Sequence, residues 1–380
     1  MTIKISKIKS YLFAISFILI LISSFFTLSV FSSIISPSFA ILFTRYFLYI
    51  SAIISIINII FFSENSTLYW LIAIFSIIIT FVIYLQSKQN ILFILVFLTL
   101  SAKNTSLKTN LKIFLRVIGV LFIVTTLLSI IKLIPNFSAT FVGSNAKAYG
   151  MIYSVFSTQY ISFLYLFWCL LKNKNFSNKD LLMGIIVTAY IFSQGDQLNF
   201  IISFFSTLGF YLLNVLKNNK RLQEFILSLP IYLYIFLFFI SIFVAKSYNS
   251  SGSAWVKINS TFSNRPKMSF EAFQNYQVHL MGQEIQTNTW TFGKNIYEFF
   301  SHPYFYIDMS FILYLLEFGI IGFLIFSSLY FISFINFKKS RNIFLTFVMC
   351  LIIIHGFVNT SLGLLPYCIL PIFSLSNIDI

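Results

Sequence analysis

Long apolar runs alternate with short polar breaks along most of this chain. A membrane-crossing helix needs about 20 apolar residues. Runs of that kind lie near Tyr11–Ser33, Phe39–Phe62, Leu68–Leu85 and Ile91–Ala102. They continue at Ile113–Ile134 and Tyr149–Leu171, then as a pair within Leu181–Leu216 that the polar residues Ser193 to Gln197 divide. Phe225–Ala245, Ile307–Ile335, Ile343–Ser361 and Leu364–Ser374 follow. The pattern predicts an all-α integral membrane protein with about twelve transmembrane helices. The third-fourth pair and the last pair are the shortest runs, and either also reads as a re-entrant segment.

One interruption is far longer than the rest. The chain divides into a bundle of about nine spans over 1–245, a large loop over 246–306, and C-terminal transmembrane helices over 307–380. Within the loop, Ser263-Asn264-Arg265-Pro266 reads as a helix start, with Asn264 or Ser263 as cap and Pro266 in the first turn. Phe270, Phe273, Tyr276 or Gln277, and Leu280 then recur at helical spacing. That predicts an amphipathic helix from Lys267 to Leu280, lying at the membrane surface.

Composition agrees with the pattern. The chain is 58% hydrophobic and only 9% charged over 380 residues, whereas soluble domains carry about 25% charged residues. The 20% aromatic content reads as lipid-facing bulk. A net charge of +15 would point to nucleic acid in a soluble protein. Here the positive-inside rule accounts for it, and no nucleic-acid partner is expected. Lys4, Lys7, Lys9, Lys103, Lys108, Lys112, Lys172, Lys217, Lys220, Lys338 and Arg341 fall on one side of the predicted spans. The short connections on the other side carry Lys88 and Lys147. Both termini are therefore expected in the cytoplasm and the 246–306 loop outside. The basic N-terminus imitates a signal peptide, but its apolar run is too long, so it reads as an uncleaved first span.

Candidate chemistry is sparse. Cys169, Cys350 and Cys368 lie in apolar runs without motif spacing, so no disulfide framework is expected. No metal, nucleotide or catalytic-triad motif appears, so the sequence predicts no cofactor and no metal site. Arg45 and Lys132 lie inside apolar runs near their outer ends. Intramembrane charge is costly and marks function by default, although both can also snorkel to the interface. Arg265 and Lys267 beside a helix N-terminus would suit an anion, or form a solvated basic turn. His279 and His302 are lone loop histidines. His355 reads as a buried hydrogen-bonding partner of Asn359. Asp196 reads either as a turn residue or as a substrate contact.

An ordered set of features resembles a known family. It comprises Ser263-Asn264-Arg265, Leu280-Met281-Gly282-Gln283, Tyr306-Ile307-Asp308-Met309-Ser310, and Glu317-Phe318-Gly319-Ile320-Ile321-Gly322, with Arg45-Tyr46 and Tyr149-Gly150 earlier. In this layout the chain resembles the Wzy-like polysaccharide polymerases and, at greater distance, the O-antigen ligases. By motif the resemblance covers residues 263–322. The chain departs from the family at Asn264-Arg265-Pro266, where many members have Gly-Arg. It departs again at Asp308-Met309, where ligase-like relatives carry His-Asn, and at Ser157-Thr158-Gln159 and Gln194-Gly195-Asp196-Gln197.

The resemblance implies a glycosyltransferase of the bacterial cytoplasmic membrane. It would join polyprenyl-diphosphate-linked oligosaccharide repeat units on the outer face, making O-antigen, capsule or exopolysaccharide. Arg45, Lys132, Arg265 and Lys267 would stabilise the leaving diphosphate in place of a metal. Asp308, placed at the outer mouth of the tenth span, is the first candidate for the base, with His302 and His279 behind it. Gly282 would permit a close turn beside the sugar site, and Gly319 and Gly322 close helix packing. Membrane lipid, a chain-length regulator and a flippase of the same pathway are the implied partners. The alternative reading is a flippase for the same lipid-linked units.

Overall fold

The computed structural model describes residues 2–34, 37–62, 66–141, 144–216, 218–288, 305–365 and 367–380. Among them the fold is helical apart from one antiparallel hairpin that pairs Ser138–Phe141 with Ser144–Lys147. In chain order the helices are α1 (Thr2–Leu28), α2 (Phe31–Ile34), α3 (Pro37–Phe62), α4 (Thr67–Ser87), α5 (Ile91–Ser101) and α6 (Leu107–Ile130). Then come α7 (Ser154–Lys172), α8 (Asn178–Ser193), α9 (Gln197–Leu216) and α10 (Lys220–Ser247). The loop contributes α11 (Ser253–Thr261) and α12 (Arg265–Asn275), and α13 (Ser310–Lys339) and α14 (Ile343–Val358) follow. Eight of the described helices are long and apolar enough to cross a membrane. They are α1, α3, α4, α6, α7, α9, α10 and α13, and they make this a multi-pass membrane protein by length and composition. The apolar helices α5 and α14 are shorter.

Polar side chains fasten helices to one another where lipid offers no hydrophobic drive. Ser16 on α1 bonds to Ser51 and Ser55 on α3, each at 2.7 Å. Ser203 on α9 donates to Ser162 on α7 at 3.0 Å. The polar break between α8 and α9 is a cap. Asp196 accepts from the Asn199 amide at 3.1 Å and from its side chain at 2.7 Å, and also from the Thr158 hydroxyl. Its carboxylate is occupied by structure.

The expected last span, Leu364–Ser374, is not a helix. Past α14 the chain forms a short 3-10 turn at Thr360–Leu362 and another at Pro371–Leu375. Between and around them it runs irregularly through the interior, with Tyr367, Cys368, Ile369, Leu370, Ile372 and Phe373 fully buried. Gly363 and Pro371 disfavour a continuous helix. Neighbouring side chains answer its carbonyls instead. Tyr314 donates to Thr360 at 2.8 Å, Tyr330 to Leu362 at 2.6 Å, and Asn336 to Ser374 at 2.7 Å. Irregular backbone is tolerated inside a membrane protein only where protein surrounds it in this way. The segment ends against the start of α6, where Asn377 exchanges backbone bonds with Thr105 and Leu107 at 2.7 and 3.0 Å.

The predicted straight tenth span is also corrected. Helix α13 breaks at Gly319, whose φ of 69° and ψ of −176° are not helical. The Tyr314 and Phe326 rings lie 4.9 Å apart, and Phe311 and Phe323 both pack on Phe238, at 6.1 and 5.0 Å. Tyr234 touches Phe311 at 5.0 Å and Tyr330 at 5.4 Å. In one straight helix residues 311 and 330 would stand about 28 Å apart. The arm 310–318 therefore folds back alongside the arm 320–339, with Gly319 as the elbow.

Candidate functional site

The elbow is held open by the loop. An ordinary helix would bond the 320 and 321 amides to carbonyls four residues earlier. Here Ile320 donates to the His279 carbonyl and Ile321 to the Leu280 carbonyl, both at 3.0 Å. In return the Gln283 amide donates to the Glu317 carbonyl at 3.2 Å, and the Gln283 side chain reaches the Leu316 carbonyl at 3.4 Å. Two amides and two carbonyls at the break thus find partners in residues 279–283, as an apolar surrounding requires. Such lacing demands close backbone approach. Gly282 has φ +86°, and a Cβ there would overlap the Glu317 carbonyl oxygen. A Cβ on Gly319 would stand 2.5 Å from the His279 carbonyl oxygen.

The fold-back decides where Asp308 lies. The sequence placed it at the outer mouth of a span. In the structure it precedes the folded arm, about 14 Å along that arm from the elbow, and so beside the middle of the crossing arm. There it meets Arg265, with Arg265 Nε 3.8 Å from Asp308 Oδ2. Both side chains remain 22% exposed, so the pair is not sealed within the core. Burial raises the Asp308 carboxyl above the usual carboxylate range, and the Arg265 charge draws it partly back.

Arg265 is aimed by its local structure. It is the first residue of α12, and Pro266 fits that first turn. The expected caps, Asn264 and Ser263, do not cap. Asn264 takes the left-handed conformation, φ +65°, without a capping bond. Asn259, at the end of α11, does the work. Its Oδ1 accepts from the Lys267 amide at 3.0 Å, and its Nδ2 donates to Asn264 Oδ1 at 2.7 Å. The helix ends at Asn275, short of the predicted Leu280, and residues 279–283 lace the elbow instead. Apart from Asp308, the Arg265 guanidinium reaches only the Phe262 carbonyl, at 3.4 Å, among its described contacts. Most of its five N–H groups remain for a ligand.

Two buried groups, Tyr306 and His355, lie within electrostatic reach of the pair, and a third, Glu317, lies near the elbow. The Tyr306 hydroxyl donates to Thr360 Oγ1 at 3.3 Å. Burial pushes its phenol up, and the Asp308 and Glu317 charges add to that, so Tyr306 stays a neutral donor. Glu317 is 6% exposed, and its Oε2 has no hydrogen-bond partner among the described residues. His355 is fully buried. Its Nδ1 lies 2.6 Å from Ser361 Oγ, and that serine, rather than the expected Asn359, is its partner. Its Nε2 is without a partner among the described residues.

The remaining candidates disperse. Lys267 is exposed and paired with Glu271 at 3.7 Å, one turn along α12. His279 has an exposed side chain and contributes its carbonyl to the elbow. Gly282 serves the lacing. Arg45 is exposed on α3, and Lys132 is exposed beyond the end of α6 with φ +63°. Neither is ion-paired with Asp308. His302 lies outside the described residues. Glu317 was legible as a candidate, being a lone carboxylate in an apolar run. Tyr306 carried no such signal.

A cation and a carboxylate of raised proton affinity, paired and partly exposed among apolar helices, can bind an anion and accept a proton. No protein-family model matches the chain, and no curated protein or solved structure is similar enough to count as a match.

Proposed function

We propose that the protein polymerises polyprenyl-diphosphate-linked oligosaccharide repeat units into a surface polysaccharide, acting on the outer face of a bacterial cytoplasmic membrane. The observation that carries this reading is the Arg265–Asp308 pair, partly open at 3.8 Å. The donor is the growing chain on its lipid diphosphate, and the acceptor is a sugar hydroxyl of the next unit. Asp308 takes the hydroxyl proton as the oxygen attacks the anomeric carbon. The bond from that carbon to the diphosphate oxygen breaks, and the lipid diphosphate leaves with the bonding electrons. Arg265 stabilises the negative charge that gathers there. Arg45 and Lys132 would draw the anionic headgroup along the membrane surface. A chain-length regulator and a flippase of the same pathway are the proposed partners.

A second reading, a flippase for the same lipid-linked units, is favoured by the break at Gly319, since discontinuous helices line many transport sites. A gel of surface polysaccharide from a deletion strain separates the two. Single repeat units displayed without a ladder, restored to a ladder by the wild-type gene but not by Arg265→Ala or Asp308→Asn, are expected. Units that accumulate only on the inner face would overturn the polymerase reading in favour of the flippase.

A further inference from the structure

At the other end of the bundle from the elbow, α10 begins and α13 ends. Between them lies a cleft of about 490 Å³. Its rim is charged. Lys338, Lys339 and Arg341 line it, together with one carboxylate, Glu224. Lys338 Nζ donates to Ser228 Oγ at 2.9 Å, and Arg341 Nη2 lies 3.3 Å from Glu224 Oε1. One cation is thus matched by the acid, and two positive charges are left over. The wall is apolar, formed by Leu227 and Ile231 of α10 and Ile335 of α13. Ile335 is 47% exposed, so the wall opens sideways to where lipid would lie.

This pairing of surplus cations with an apolar wall that faces lipid has one natural complement. We propose that the cleft binds an anionic phospholipid, its phosphate between Lys338 and Lys339 and an acyl chain along Ile231 and Ile335. A free phosphate would use the rim and leave the wall unused. A zwitterionic lipid would use the wall and leave the surplus charge unmatched. Basic pockets between transmembrane helices at a cytoplasmic surface hold anionic headgroups on the same grounds. The site is independent of the polymerase reading, because none of the residues that line it belongs to the Arg265–Asp308 pair or to the elbow.

The test uses the full-length protein, delipidated in neutral detergent and titrated with phosphatidylglycerol, with bound lipid read by native mass spectrometry. One tightly held phosphatidylglycerol is expected, with phosphatidylcholine at least tenfold weaker and binding reduced by added salt. Each lost cation weakens binding about fivefold, so Lys338→Gln with Lys339→Gln is expected to weaken it about 25-fold. Lys88→Gln with Lys257→Gln removes equal charge elsewhere and is expected to change nothing. Ile335→Trp fills the wall without touching the charge and is expected to weaken binding too. Binding of phosphatidylglycerol by the double Lys338/Lys339 variant at wild-type strength overturns the proposal. So does displacement of bound lipid by millimolar inorganic phosphate with the Ile335→Trp variant binding normally, since the ligand is then a soluble anion.

Discussion

Gly282→Ala tests the lacing of the loop into the broken helix. The new Cβ meets backbone on two fronts. It overlaps the Glu317 carbonyl oxygen and stands 2.9 Å from the Phe318 carbonyl carbon, atoms that no rotamer change can move. The φ of +86° adds about 1–2 kcal/mol for a residue with a Cβ, and the overlap about 1–3 kcal/mol. The loop can escape this strain of roughly 2–5 kcal/mol only by lifting away. Lifting gives up the bonds from Ile320, Ile321 and Gln283, worth about 1 kcal/mol each. The two routes cost nearly the same, so a loss of about 2–4 kcal/mol is expected, shared between strain and lifting. Gly119→Ala is the control, because it sits inside α6 with nothing within 4 Å of its Cβ. A helical Gly→Ala change there gains up to about 1 kcal/mol. Thermal unfolding in detergent is expected to move in opposite directions for the two variants. Hydrogen exchange at Ile320 and Ile321 is expected to rise about thirtyfold or more in Gly282→Ala alone. Wild-type melting together with unchanged exchange at those two amides would refute the account of the elbow.

Three other outcomes follow from the same geometry. Asn259→Ala removes the cap on α12 and the partner of Asn264, at a cost of about 1–2 kcal/mol, so the Lys267 amide is expected to exchange faster and polymer synthesis to fall while the protein remains folded; unchanged exchange would show that Asn259 does not position Arg265. Asp196→Ala strips the cap of α9 and leaves the buried Asn199 amide unanswered, so a loss of about 2–4 kcal/mol in unfolding is expected, and wild-type stability would return Asp196 to the list of substrate contacts. For pH dependence, the base must be ionised, and Arg265 lowers the Asp308 carboxyl that burial raises. Arg265→Gln is therefore expected to move the acid limb of the rate profile to higher pH, apart from any fall in the plateau rate, whereas a limb that stays in place would remove Asp308 as the base.

The sequence alone determined the class of this protein. Apolar runs of span length, 9% charge and one long polar interruption require a helical membrane protein, because lipid leaves backbone groups no partner except their own helix. It also located the break between α8 and α9, and it singled out Arg265 as a cation beside a helix start, while Asp308, Gly282 and Gly319 came forward through the resemblance. What it hid were pairings between distant segments. Hydropathy cannot tell a straight span from two arms folded at Gly319, since both are equally apolar. It cannot tell a helix from the irregular buried stretch after Gly363, since the side chains that answer those carbonyls come from Tyr314, Tyr330 and Asn336. The cap of α12 comes from Asn259 on the preceding helix, and His355 pairs with Ser361 rather than Asn359. The fold-back at Gly319 sets Asp308 beside the middle of the crossing arm, where it meets Arg265. Burial and backbone pairing act through space, so tertiary structure alone decided them.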